Sequence, residues 1–375
     1  MAEPGLTSGA FANVLVQRAE DIGWVLCIGA GTSLGALPDW NALVETLITN
    51  HAVLRTNKAA LKRLWKSLTP EALVQASKNQ LGLTDEIFAE TLADSLYQRL
   101  RAKLDAPSWS ICAQALSAVS PGELLTRKKW DSYLAIAKRE LRGASALAIA
   151  EVIYAALKKD RLRARTSSSP SIGPSAILSF NAEPLLFSLV NAYAATDTRS
   201  KSSLSSRRLL DRVNRGISYR SPDRIPYIFC HGLLPIPDAL PRYGRILSAE
   251  KLVFSEGEYL AMANTSFSWA SSMFLSHAVL RTMVFIGLSF TDQNLRRWLA
   301  WVQENKRAEL EHQARIKGLA SPLPTPYGHY WINRRPKTRR EETWIESSVE
   351  HLGVRLVWIN NWSEIGPCLA GSLGL

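Results

Sequence analysis

The run "VLCIGAGTSLGALPDW" at residues 25–40 places Gly29, Gly31 and Gly35 directly behind an apolar stretch of strand character. Glycines at such a point let backbone N–H groups close on an anion, and a helix starting just beyond adds a favourable dipole. Three later runs put chemically useful side chains at equivalent places. "AILSFNAEPLL" (176–186) carries Asn181 and then Glu183, and "YIFCHGLLPIP" (227–237) carries His231 ahead of Gly232. "VFIGLSFTDQNL" (284–295) ends on Gly287, Ser289 and Asp292. An amide can orient a hydroxyl or a water, and an imidazole with an ordinary pKa of about 6.5 can accept its proton. Together with a glycine turn, these are the parts for breaking a bond in a phosphate-bearing ligand.

Each feature also has a plainer explanation. The glycine turn matches neither G-x-G-x-x-G nor the Gly-Lys-Ser/Thr ending of a P-loop, and could be punctuation alone. Asn181 could close a strand as a turn residue, and His231 could be a partly buried imidazole bonded to backbone. Asp292 stands at the start of a helix with a Leu295, Leu299 and Val302 stripe, where an N-cap accounts for it. Cys27 and Cys230 lie inside apolar runs and read as small core residues.

The elements that must position these residues follow from the pattern of apolar positions. Phe11–Gly23 reads as an amphipathic first helix and Trp24–Ile28 as a buried strand. Pro38 then suits a helix's first turn, with Trp40, Leu43, Val44, Leu47 and Ile48 on one face. No strand pattern occurs from there to about Arg163. Phe88, Leu92, Leu96, Leu100 and Leu104 step by four behind Asp85 and Glu86, and Trp130–Leu162 continues in helical segments. "RTSSSPSIGPS" (165–175) reads as a linker. Short apolar runs return at Ala176–Phe180, Tyr227–Cys230, Met283–Leu288, His329–Ile332 and Val354–Ile359, with a helix over Asp292–Glu304. Such runs suit parallel strands buried on both faces. The expected fold is α/β, a doubly wound, Rossmann-like parallel sheet formed by residues 1–50 and 170–375, with residues 51–169 as a large helical insertion. In such sheets ligands bind at the carboxyl ends of the strands, so Asn181, His231, Ser289 and the glycine turn are expected to meet in one crevice.

The 375 residues include 45 Lys and Arg against 33 Asp and Glu, a net charge of +12. Eight of the cations fall between Arg199 and Arg224, against only Asp211 and Asp223, and a second knot comprises Arg334, Arg335, Lys337, Arg339 and Arg340. Neither knot has interleaved aromatics of the kind that stack single strands. The first is expected to be a mobile surface excursion, through Arg207, Arg208, Arg212 and Arg215, that docks a protein partner or a second copy; direct nucleic-acid binding is not favoured. Cys27, Cys112, Cys230 and Cys368 form no C-x-x-C pair, and His51, His277, His312 and His351 share no metal-ligand spacing, so no metal is expected. With no signal pattern and no apolar run of about 20 residues, a cytoplasmic protein without membrane contact is expected.

The order GAGTS–PDW, strand–Asn–x–acid, strand–His–Gly and G-x-S-x-x-D resembles the sirtuin superfamily. It is most similar to the sirtuin-like NAD hydrolases of bacterial anti-phage defence. The resemblance covers residues 24–48 and 176–360. It implies catalytic roles for Asn181 and His231. It implies NAD contacts at Gly29, Ala30, Gly31, Ser33, Glu183, Gly287, Ser289, Asp292 and Asn333, the last near the adenosine ribose. There are departures: Glu183 stands where the family has Asp, Ser179-Phe180 replaces Thr-Gln or Thr-Thr, and Trp40-Asn41 replaces Phe-Arg. The four-cysteine zinc module is absent. The last two favour cleavage of NAD to nicotinamide and ADP-ribose over deacylation. With no obvious sensor domain in the sequence, a homo-oligomer and control by assembly or by a partner are expected. The resemblance suggests a DNA-translocating ATPase or a short Argonaute-type protein as that partner. The competing reading is a non-catalytic sensor or scaffold that binds NAD or ADP-ribose.

Overall fold

Trp24–Ile28 (β2) shows why this chain builds its sheet as it does: all five residues are apolar and all five are buried. A strand covered on both faces has no use for polar alternation. The computed structural model describes residues 4–51, 58–118, 125–163, 171–197, 209–213, 224–239, 252–264, 268–318 and 327–375. In chain order its strands are β1 (Leu6–Thr7), β2, β3 (Ala176–Ser179), β4 (Leu210–Val213), β5 (Ile225–Phe229), β6 (Thr282–Ile286), β7 (His329–Arg334) and β8 (Val354–Ile359). They form one eight-stranded sheet in the order β1-β8-β7-β6-β2-β3-β5-β4. The pairs β1–β8, β2–β6, β6–β7, β7–β8 and β4–β5 are parallel. This is the α/β, Rossmann-like architecture expected, with its helical segment between β2 and β3.

That segment comprises α2 (Trp40–His51), α3 (Lys58–Ser67), α4 (Pro70–Leu81), α5 (Asp85–Lys103), α6 (Ala106–Ser117), α7 (Arg127–Glu140) and α8 (Ser145–Arg163), following α1 (Val14–Asp21). The remaining helices are α9 (Leu185–Thr196), α10 (Glu256–Asn264), α11 (Trp269–Leu280), α12 (Gln293–Ile316), α13 (Arg339–Glu350) and α14 (Ile365–Ser372). Capping chemistry sets several boundaries. Thr69, Thr84, Asp105 and Thr126 each accept a backbone N–H from the first turn of α4, α5, α6 and α7. Phe88, Leu92, Leu96 and Leu100 of α5 are buried as the four-residue step requires.

The chain divides into two compact units. One comprises Met1–Gly29, Ala155–Leu178 and Trp269–Leu375; the other comprises Ala30–Tyr154 and Ser179–Ser268. The core of the first joins β2, β6, β7 and β8 to Phe274, Trp298, Leu295, Leu299 and Val302. In the same unit the Trp24 indole donates to the Ile172 carbonyl (2.9 Å). The Asp160 carboxylate ties down the described end of the expected linker by accepting from Ser171, Ile172 and Gly173. In the second unit α9 is buried from Leu185 to Ala195, and Phe187 packs on Tyr227 and Phe229 of β5.

Three expectations need correction. Pro38 does not lie in a helix's first turn: α2 begins at Trp40, and the Asp39 carboxylate opens it by accepting from the Ala42 N–H (2.7 Å). Between β2 and α2 the chain makes a 3-10 turn at Ala30–Ser33, and Ala36 and Leu37 both donate to the Ser33 carbonyl. The first helix is shorter than Phe11–Gly23, because Asn13 sits at φ 61° and α1 starts only at Val14. The basic segment is not simply a surface excursion. Leu210–Val213 is a buried strand whose register pairs Leu210 with Ile225 and Val213 with Ile228. Arg212 is 0% exposed, and Asp211 pairs with Arg224 at 2.8 Å. Strand pairing and the apolar flanks Leu209, Leu210 and Val213 outweigh the local charge count, so Arg212 is no docking residue. Arg207, Arg208 and Arg215 lie outside the described residues.

Candidate active site

The expected site residues fall into two sets, one in each compact unit. In the second unit the chain leaves β3 at Ser179, whose hydroxyl accepts from the Asn181 N–H (3.2 Å) and donates to the Asn181 carbonyl (3.1 Å). This short turn fixes the Asn181 backbone. The register with the end of β5 is fixed by Cys230 N–H donating to the Ser179 carbonyl (2.8 Å) and Leu234 N–H to the Ala182 carbonyl (2.8 Å). The Asn181 amide donates to Thr32 Oγ1 (3.3 Å) and to Glu183 Oε1 (3.1 Å). Glu183 also accepts from the Ser33 hydroxyl (2.5 Å) and, through Oε2, from the Leu185 N–H (2.5 Å). Thr32, Ser33, Asn181 and Glu183, 150 residues apart in sequence at the Ser33–Glu183 bond, are thus one buried polar cluster.

Burial raises the Glu183 carboxyl to about 7, against the hydrogen bonds from Ser33, Leu185 and Asn181, which act to lower it. Desolvation wins because an ionised carboxylate loses more in leaving water than three donors return. The buried phenols of Tyr97 (α5), Tyr133 (α7) and Tyr227 (β5) lie close enough to feel the Glu183 charge, though burial is the main reason their pKa values rise. Two of these come from the helical segment. A carboxyl titrating near neutrality can change the charge of this cluster at working pH.

His231 follows β5 and is 6% exposed. Its ring meets Phe180 edge to face (centroids 5.2 Å apart, 89°) and Tyr259 likewise (5.6 Å, 79°). Its carbonyl accepts from the Val253 N–H (3.1 Å). Thr32, the tyrosines and Tyr259 escaped the sequence reading. Thr32 was readable as the neighbour of Ser33 in the GAGTS turn, whereas nothing local marks the tyrosines.

The first unit arranges its set differently. Gly29 donates to the Ile286 carbonyl (3.0 Å), and a Cβ there would stand 2.6 Å from the Gly287 carbonyl oxygen and from the Leu288 side chain. Close approach of the ends of β2 and β6 is therefore sufficient reason for this glycine. Gly287 has φ 70°, and so, less usually, does bulky Phe290 at 58°, held by rings of Phe285 (5.0 Å) and Trp331 (4.6 Å). Ser289 is exposed, its hydroxyl bonded to that of Thr291 (2.7 Å). Asp292 is the expected N-cap of α12, accepting from the N–H groups of Asn294 (2.8 Å) and Leu295 (3.3 Å). Asn333, near the end of β7, accepts from the Arg334 N–H (2.8 Å). Ala30 and Gly31 lie in the 3-10 turn of the second unit, Ala30 exposed.

All four cysteines are buried and none forms a disulfide. Burial pushes the thiols of Cys112, Cys230 and Cys368 up to about 12, which suits core residues and not nucleophiles. Buried His329 of β7 has its pKa lowered to about 3, mainly by desolvation, and accepts the Met283 N–H (3.2 Å), a structural role. Among the described residues no group of three or more His, Cys, Asp or Glu could hold a metal ion, and no helix is long and apolar enough to cross a membrane.

Residues 211–352 match a family model described as a SIR2-like domain. The matched stretch contains His231, Gly287, Ser289, Asp292 and Asn333; the glycine turn, Asn181 and Glu183 lie before it. Over these residues the chain is similar to SIR2-like domains, which supports a place in the Sir2 superfamily. No match was found among curated proteins.

Proposed function

We propose that this protein cleaves NAD, releasing nicotinamide and ADP-ribose without an acyl-lysine substrate. The observation that carries the reading is the buried contact of Asn181 with Thr32 and Glu183, which joins the turn after β2 to the end of β3. A buried amide fixed on two sides is suited to orienting a ribose hydroxyl or a water, since positioning of that kind removes several kcal/mol of the barrier, on the order of 10²-fold or more in rate. His231 accepts a proton from a ribose hydroxyl or from the water that attacks the ribose carbon as oxocarbenium character develops there. Ala30, Gly31 and Ser33 offer backbone donors to the dinucleotide. Gly29, Gly287, Ser289 and Asn333 are kept as NAD contacts on the resemblance alone, and Asp292 serves first as a cap.

The role proposed is depletion of NAD in anti-phage defence, with activity controlled by self-assembly or by a partner such as a DNA-translocating ATPase or a short Argonaute-type protein. The test is to incubate the purified protein with NAD, alone and with the products of neighbouring genes, and to separate the products by chromatography. Nicotinamide and ADP-ribose formed without an acylated peptide support the reading. Nicotinamide released only with such a peptide, or NAD bound without turnover under every condition, overturns it.

A further inference from the structure

The two rings that flank His231 come from different places. Phe180 immediately follows β3, whereas Tyr259, 28 residues beyond His231, arrives on the segment that carries α10. That segment is fastened to the helical part of the same unit at several points. The Glu258 carboxylate accepts from the N–H groups of Phe254 and Ser255 (both 2.8 Å), closing the first turn of α10, and from Lys78 of α4 (3.2 Å). Lys78 is held in turn by Asp85 (2.8 Å). Gln75 of α4 accepts from the Gly257 N–H (3.2 Å), and the Phe254 ring packs on Trp40 of α2 (5.3 Å). The backbone of the same segment reaches back to His231 through Val253.

We infer that Tyr259 is a positioning residue for His231, and that α4 holds Tyr259 in place, so that the helical segment sets the aim of the imidazole. This rests on the catalytic reading of His231 given above. A proton acceptor contributes only while it points at its proton, and an edge-to-face contact restricts the ring without consuming either nitrogen. Lys78 and Gln75 lie three residues apart on one face of α4, and both meet the first turn of α10. A partner that shifts α4 would therefore turn the imidazole without touching it.

The test uses the full chain labelled with ¹³C in histidine. The His231 Cε1–H resonance should carry a ring-current shift from Tyr259. Tyr259→Leu and Tyr259→Ala should move it, Tyr259→Phe should leave it, and Lys78→Met with Gln75→Ala should move it part of the way. In NAD turnover, Tyr259→Leu should lower kcat about 10-fold with little change in KM, while Tyr259→Phe stays near the parent. A resonance and a kcat unchanged in Tyr259→Leu overturn the positioning role. A resonance that answers Tyr259→Leu but not the α4 pair overturns the part given to α4. If the parent turns over no NAD while the resonances shift as expected, the contact stands and the catalytic reading has failed.

Discussion

The polar side chains beyond β3 and those beyond β6 use their hydrogen bonds in opposite ways. Beyond β3, Asn181 and Glu183 bond to Thr32 and Ser33, about 150 residues earlier, inside a buried cluster. Beyond β6, Ser289 bonds to Thr291 and Asp292 to Asn294 and Leu295, each within three residues, at an exposed or half-exposed turn. The first region is made of side chains and depends on the fold to assemble it. The second is made of backbone: Gly29, Gly287 and the cap shape a turn whose side chains are already committed locally. The proposed orientation and proton transfer draw on the first region, while the bonds of the second give shape and stability to its turn.

Breaking the first region should give the largest effect. Asn181→Ala and His231→Ala should each lower NAD cleavage by about 10²-fold or more. Near-parental turnover in either variant would erase the distinction between the two regions. Glu183→Gln sharpens the same point through pH. The Glu183 pKa is raised in the folded chain, from 4.5 to about 7. Its contribution to stability is therefore complete below about pH 4.5, is lost as pH rises toward 7, and is constant above. At about 1.4 kcal/mol per unit, chemical denaturation of the parent should show a decline of about 3 kcal/mol across that window. The glutamine variant should lack it, and an equal decline in both would assign the effect elsewhere.

The second region should answer in stability first. Gly29→Ala forces a methyl against the Gly287 carbonyl and Leu288, and should destabilise by about 1–3 kcal/mol in urea unfolding. A neutral result would mean that the two strand ends separate freely. The smallest effect is expected of Asp292→Ala, about 1 kcal/mol from the lost cap of α12, with Asp292→Asn close to the parent. A large rise in KM for NAD in the asparagine variant, at unchanged stability, would move Asp292 from cap to ligand contact.

Much of this was legible beforehand because it is local. β2 and β8 are strands over the residues whose apolar runs announced them, and Asp292 caps its helix, since these signals lie within a few residues of one another. β4 was hidden because only four residues carry it, in a segment dominated by charge. β1, a two-residue strand paired with β8, is too short to leave any period.

What the sequence by itself determined is the set of strand ends and the residue types set on them: Asn181, Glu183, His231 and the glycine turn, in an order that resembles one superfamily. What only the tertiary structure decided is which of them act together and in what state. The Glu183 carboxyl is raised to about 7 because the fold buries it, Arg212 is buried in a strand that pairs with β5, and the His231 ring meets Tyr259 edge to face. Desolvation and ring packing are sums over neighbours that are distant in the chain. They exist only once the chain has folded.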